Sequence, residues 1–210
     1  MVLCLTGMPG CGKSSVGRLL AERSAVPFHD LDILIETRSG RSIREIFRTD
    51  GEPVFRMLEH EALAAVLSGA ILGNLPAAEP GHAAVRTLDC VLALGGGTVM
   101  TSACAELVRL KTCCIYLRTR AETLCRRLSA DGQTELRPLL SPVGEACPQP
   151  IGADGPTALC DSLSPLRQRI EELLAEREPV YSATARFTID TDTLSPAGIA
   201  DEIRSHLLSF

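Results

Sequence analysis

The chain has 210 residues, 45% of them hydrophobic, with 3% aromatics, no Trp and a net charge of −5. That is enough apolar matter for one α/β domain over 1–210, with a core of Leu, Val, Ile and Ala. An acidic balance without a basic run argues against a nucleic-acid partner, and no apolar run approaches the ~20 residues of a membrane span. The start shows no signal-peptide pattern. Nine cysteines are an odd number, and no two stand at C-x-x-C spacing. Both facts argue against a disulfide scaffold and a cysteine metal site, so a cytoplasmic protein is expected. Cys4, Cys90, Cys113, Cys114 and Cys125 lie in apolar segments and read as small core residues.

The first predicted strand is Val2–Thr6, and a helix follows to about Ser24. Between them stands Gly7-Met8-Pro9-Gly10-Cys11-Gly12-Lys13-Ser14, the pattern G-x-x-x-x-G-K-[ST] in its proper strand–loop–helix setting. Glycines let successive N–H groups curl around phosphate oxygens, and the helix N-terminus favours an anion. Gly10, Cys11, Gly12, Lys13, Ser14 and Ser15 are therefore the expected phosphate-binding residues. Lys13 would place its charge on the β- and γ-phosphates, and the Ser14 hydroxyl would ligate Mg²⁺. Cys11 has two readings: a small spacer, or a thiol acidified by the helix end and open to oxidation without nucleotide.

Val26-Pro27-Phe28-His29 reads as a short second strand ending at Asp30-Leu31-Asp32, with a helix from Ile33 to about Ser39. Ser42-Ile43-Arg44-Glu45 is a capping box that opens another helix. A longer helix runs from Gly51 to about Leu67, with Phe55, Leu58, Leu63 and Val66 inward. Residues 69–87 read as a surface loop. Cys90–Leu94 is a buried parallel-type strand that runs into Gly95-Gly96-Gly97. A helix over about Ser102–Leu110, a strand at Cys113–Leu117 and a helix at Ala121–Ser129 come next. Residues 130–164, rich in Pro and Gly, read as a long mobile segment. A helix at Leu166–Arg177, a strand at Arg186–Asp190 and a helix at Pro196–Leu208 close the chain. His29, His60, His82 and His206 belong to no motif and read as structural or exposed.

Alternating strands and helices predict a five-stranded parallel sheet in an α/β/α sandwich. Ligands bind such sheets beyond the carboxyl ends of the strands. The phosphate loop, Asp30/Asp32 and Gly95–Gly97 all fall there.

With these motifs in place, the chain resembles shikimate kinase, a small P-loop kinase of the nucleoside-monophosphate-kinase-like group with a mobile lid. The resemblance rests on Gly7–Ser14 with Gly17-Arg18, Asp30-Leu31-Asp32, and Ser39-Gly40-Arg41-Ser42-Ile43 with Ile46-Phe47. It continues through Asp50-Gly51-Glu52 with Phe55-Arg56 and Glu59, Leu94–Gly97, Leu136-Arg137-Pro138-Leu139-Leu140 and Arg177-Glu178-Pro179-Val180-Tyr181. It implies ATP-dependent phosphorylation of the 3-hydroxyl of shikimate, with one Mg²⁺ per subunit, in a monomer. Residues about 30–68 would be the shikimate-binding helical segment, and about 130–164 the lid.

Shikimate carries a carboxylate and three ring hydroxyls, and a carboxylate suits guanidinium forks. The resemblance assigns Arg56 and Arg177 to that carboxylate, with an N–H from the Gly95, Gly96, Gly97 turn. It assigns Asp32 to the acceptor hydroxyl as base. Glu59, at i+3 from Arg56, would hold that guanidinium. Asp30 would act beside Mg²⁺ through water, or cap the following helix. Arg137 would reach the transferring phosphoryl group and Arg127 the adenine. The chain departs from the family in longer segments at 71–86 and 141–163. Thr191-Asp192-Thr193-Leu194 stands where the family often carries an Arg, so backbone and Pro196 would meet the adenine. Two other readings stay open: a kinase of another small hydroxy-acid such as gluconate, and a non-catalytic nucleotide-binding regulator.

Overall fold

Five short apolar runs pair edge to edge in one parallel sheet. They are β1 (Val2–Thr6), β2 (Phe28–Asp30), β3 (Cys90–Ala93), β4 (Thr112–Arg118) and β5 (Phe187–Asp190), in the order β2-β3-β1-β4-β5. The computed structural model describes residues 1–70, 88–130 and 158–208. Every residue of β1 is buried, so side chains on both faces of the sheet are covered by helices. That makes three layers, α/β/α, as expected. The chain leaves central β1 for the far edge at β2, returns to β3, and then crosses to β4 and β5. The order of connection reverses at β1, which opens a crevice beyond its carboxyl end.

The helices are α1 (Lys13–Ser24), α2 (Leu31–Ser39), α3 (Ile43–Thr49), α4 (Gly51–Leu67), α5 (Ser102–Lys111), α6 (Ala121–Ala130), α7 (Ala158–Thr184) and α8 (Pro196–Leu208). Ser42 caps α3, its hydroxyl accepting from the Glu45 N–H at 3.2 Å, as the capping box requires. Phe55, Leu63 and Val66 of α4 are buried, and Leu58 packs against the core. Cys4, Cys90, Cys113, Cys114 and Cys125 are buried and free, as expected of small core residues.

Several boundaries differ from expectation, and at three elements the difference has a plain physical reason. β2 begins at Phe28 rather than Val26, because Pro27 has no N–H and joins the sheet only by accepting from the Val91 N–H. α2 begins at Leu31 rather than Ile33, because Asp30 caps it by accepting from the Asp32 N–H at 3.2 Å. α7 runs from 158 to 184, well beyond Leu166–Arg177, with Pro165 and Pro179 inside it. An internal proline costs a helix about 3 kcal/mol, which is why the sequence suggests a stop. The buried stripe Ile170, Leu173, Arg177, Tyr181, Thr184 continues at helical spacing past Pro179, and its packing outweighs that cost.

The expected loop at 69–87 is described only at Gly69 and Ala70. The expected lid is described only where Ala130 ends α6 and where α7 begins, so residues 158–164 are helical rather than irregular. Arg137, Leu139, Leu140 and His82 lie outside the described residues.

Gly17 shows how tightly α1 sits on the edge of the sheet. A Cβ there would stand 2.4 Å from the Phe28 ring, and the Arg18 guanidinium lies 5.6 Å from the centroid of the same ring. Gly17→Ala should therefore overpack this contact and lower the unfolding free energy by about 1–3 kcal/mol, despite the better helix propensity of Ala. Urea denaturation measures it; an unchanged or higher midpoint would show that the ring moves aside freely.

Candidate active site

The loop after β1 meets the start of α1 with no side chain capping the helix, so its first N–H groups are open to an anion. Gly7, Gly10 and Gly12 have φ of 142°, 84° and 100°, values that only glycine adopts readily. Lys13 arches back over this loop and donates from Nζ to the carbonyls of Gly7 at 2.9 Å and Met8 at 3.1 Å. The ammonium thus stands at the mouth of the cradle. Cys11 is fully buried, its Sγ 3.0 Å from where a Gly7 Cβ would stand. A thiol there is out of reach of reagents, which favours the spacer reading over the oxidisable one.

Ser14 donates to Asp30 Oδ2 at 2.7 Å, while Asp30 Oδ1 accepts from the Asp32 N–H. One carboxylate therefore both caps α2 and faces the P-loop hydroxyl, so the two expectations for Asp30 are compatible. Asp32 follows in the first turn of α2, pointing toward the glycine turn after β3.

That turn explains its three glycines by close approach. A Cβ on Gly95 would stand 2.7 Å from Asp32 Oδ1, 3.0 Å from Thr98 Oγ1 and 3.2 Å from Glu59 Oε1. One on Gly96 would stand 2.9 Å from Pro9 Cδ, and one on Gly97 2.8 Å from an Arg56 terminal nitrogen. Asp32, Glu59, Arg56 and the P-loop thus all lean on bare backbone.

Arg56 and Glu59 meet as their spacing on α4 implies. Arg56 donates to Glu59 Oε2 at 2.7 Å, and its Nε and other terminal nitrogen donate to Glu52 Oε1 at 3.2 and 2.9 Å. Burial pulls the Arg56 pKa down, and the charges and hydrogen bonds of Glu59 and Glu52 more than reverse it. Glu59 is only 1% exposed, and its second oxygen accepts from the Thr98 hydroxyl at 2.6 Å. Across the turn, Arg177 is only 5% exposed and donates to the Gly96 carbonyl at 3.2 Å. Its Nε is buried with no hydrogen-bond partner among the described residues. Tyr181, one helical turn on, donates to the same Gly96 carbonyl.

At the other end of the cleft, Arg127 donates to the Thr191 carbonyl at 2.8 Å and to the Gly10 and Cys11 carbonyls at 3.4 Å. Leu194 and Pro196 line the same cleft, which measures about 990 Å³. Every sequence-predicted site residue that is described lines it, and none of His29, His60 and His206 does. Three contributors went unforeseen. Thr98 is signalled only by following the glycines, while Pro9 and Tyr181 stand inside the quoted motifs without an expected role of their own. Among the described residues, no group of three or more His, Cys, Asp or Glu could hold a metal ion. Nor is any described helix long and apolar enough to cross a membrane.

The family model for shikimate kinase matches residues 9–72 and 82–208. The shikimate kinase of Chloroherpeton thalassium is 34% identical over 201 residues, covering 96% of this chain and 88% of that protein. That of Mycobacterium avium is 35% identical over 203 residues, covering 97% and 91%. The structure of the Acinetobacter baumannii shikimate kinase in complex with shikimate superposes with a TM-score of 0.75 at 29% identity, covering 99% of this chain and 93% of that one. These matches favour the shikimate kinase reading over the gluconate kinase and regulator readings. The chain belongs to the shikimate kinase family, and with ATP as co-substrate it phosphorylates the 3-hydroxyl of shikimate, a step of aromatic amino-acid biosynthesis.

Proposed function

We propose that ATP lies along the P-loop end of this cleft and shikimate against the glycine turn, with Asp32 between them as the base. The observation that carries this reading is Arg177. A buried guanidinium needs an anion, yet none of the described ion pairs includes it. The shikimate carboxylate would supply that charge, held bidentately by Arg177 with help from Arg56 and a turn N–H. Arg56 keeps donors for this, since three of its five N–H groups serve the described bonds to Glu52 and Glu59. Glu59 sets its aim.

In the reaction, the acceptor oxygen forms a bond to the γ-phosphorus as the bond to the β–γ bridging oxygen breaks. The hydroxyl proton passes to Asp32, and ADP leaves. Lys13 balances charge on the β- and γ-phosphates. Arg137, from the segment after α6, would add a guanidinium as charge spreads over the equatorial oxygens. Arg127 and Pro196 would bracket the adenine.

Ser14 and Asp30 present hard oxygen donors suited to Mg²⁺, the hydroxyl directly and the carboxylate through water. When bound, the ion would neutralise charge on the β- and γ-phosphate oxygens. Residues 1–210 would form one kinase domain, with a shikimate-binding segment at about 30–68 and a lid at about 130–164. A cytoplasmic monomer is further proposed. The buried free thiols fit a reducing compartment, and Ile33, Met57 and Leu110 are the exposed large apolar residues among those described.

Asp32→Asn keeps the shape and removes the base, so kcat should fall by roughly 10²–10⁴-fold while ATP affinity stays within a few-fold. Arg56→Ala removes a contact made before and during reaction, so it should chiefly raise KM for shikimate. Steady-state kinetics on both, with ATP binding measured separately, tests the pair; near-normal kcat in Asp32→Asn would leave that residue a helix-start group only.

Lys13→Ala should abolish turnover while thermal melting shows an intact fold. Appreciable activity there would defeat the P-loop assignment.

Asp30→Asn should raise the Mg²⁺ concentration needed for half-maximal activity by about 10–100-fold, the usual worth of a partner that orients a metal's ligands. An unaltered Mg²⁺ titration would leave Asp30 with its capping bond alone.

A further inference from the structure

We propose that Tyr181 is a positioning residue for the acceptor: its hydroxyl fixes the Gly96 carbonyl, and through it the turn N–H and the Arg177 guanidinium that face the shikimate carboxylate. The proposal rests on the reading of Arg177 as a carboxylate ligand. Tyr181 is completely buried and its ring packs on Tyr116, with centroids 5.1 Å apart. Packing therefore leaves the hydroxyl little freedom. It donates to the Gly96 carbonyl, which also accepts from Arg177. One backbone oxygen is thus the common anchor of a tyrosine and an arginine spaced i, i+4 on α7.

The consequence follows from peptide geometry. In a trans peptide, C=O and N–H point in opposite directions. Tying the Gly96 carbonyl toward α7 therefore fixes the direction of the Gly97 N–H in the same peptide, beside which the Arg56 guanidinium stands. The glycines of this turn have no side chains to hold that orientation, and glycine backbone is the most freely rotating of all. Tyr181 supplies a restraint from outside the turn, on the one turn carbonyl that Arg177 also holds. The same hydroxyl lies 3.8 Å from the Met8 sulfur of the P-loop, so it sits where the two substrate subsites adjoin. Burial pushes the tyrosine pKa up, so the hydroxyl keeps its proton and remains a donor throughout the working range.

Tyr181→Phe keeps the ring on Tyr116 and removes only the donor. It should raise KM for shikimate by about five- to tenfold, the worth of one neutral hydrogen bond, and change KM for ATP by less than about twofold. With the methyl ester of shikimate, which lacks the charge, wild type and variant should show the same KM. A merely structural tyrosine would lower the melting temperature without dividing the two substrates. Equal rises in both KM values, or the same rise with the ester as with shikimate, would overturn the proposal. Arg177→Ala, assayed alongside, separates it from its premise. A large KM rise in Arg177→Ala with none in Tyr181→Phe would overturn the positioning role alone. No rise in either would overturn the carboxylate reading as well.

Discussion

Everything in the cleft depends on one close approach: the backbone of Gly95–Gly97 lies against the P-loop and α4 with no room for a side chain. Pro9, Asp32, Glu59 and Arg56 each come within 3.2 Å of where a Cβ would stand. A single methyl group in that turn would push against a loop, a carboxylate pair or a guanidinium. Glycine is needed here for space, which the conformational freedom of the residue alone would not demand. That freedom is instead a liability, and the contacts of Thr98 and Tyr181 on either flank restrain it.

The charges divide into two kinds. Glu59 is a carboxylate taken almost wholly out of water, which is tolerable only because Arg56 and the Thr98 hydroxyl satisfy it. Arg56 is correspondingly committed, aimed by Glu59 and Glu52 before any ligand arrives. Arg177 is the reverse: buried, hydrogen-bonded to a neutral carbonyl, and outside every described ion pair. One guanidinium is preorganised by acidic partners, and the other is held by backbone and keeps its charge uncompensated. A carboxylate entering between them would gain most from the second.

Much of this was legible in the sequence because its causes are local. The P-loop is a contiguous pattern in a strand–loop–helix frame. Arg56 and Glu59 are one helical turn apart, and the strand ends bring Asp30, Asp32 and the glycines to one edge of any parallel sheet. What escaped has non-local causes. Thr98 matters because α4 carries Glu59 to it from 39 positions away. Tyr181 reaches Gly96 across 85 positions. The length of α7 was hidden by Pro179, a local stop signal overridden by a buried stripe that only the packed structure reveals. Cys11 was ambiguous in sequence because exposure cannot be read there; its burial under Gly7 favours the spacer reading.

The contact between the P-loop and the glycine turn also bears on how such a small enzyme would control an in-line transfer. A loose phosphoryl transition state offers little covalent chemistry for a protein to assist, so rate depends on holding donor and acceptor at the right separation. In this chain the P-loop and the glycine turn are not independent platforms. Pro9 packs on Gly96, Met8 lies against the Tyr181 hydroxyl, and Lys13 bonds back to the Met8 carbonyl. The P-loop and the glycine turn are therefore one packed unit, anchored on β1, β3 and α7. Because interiors pack at near-crystal density, a change in one of these side chains is felt across the unit.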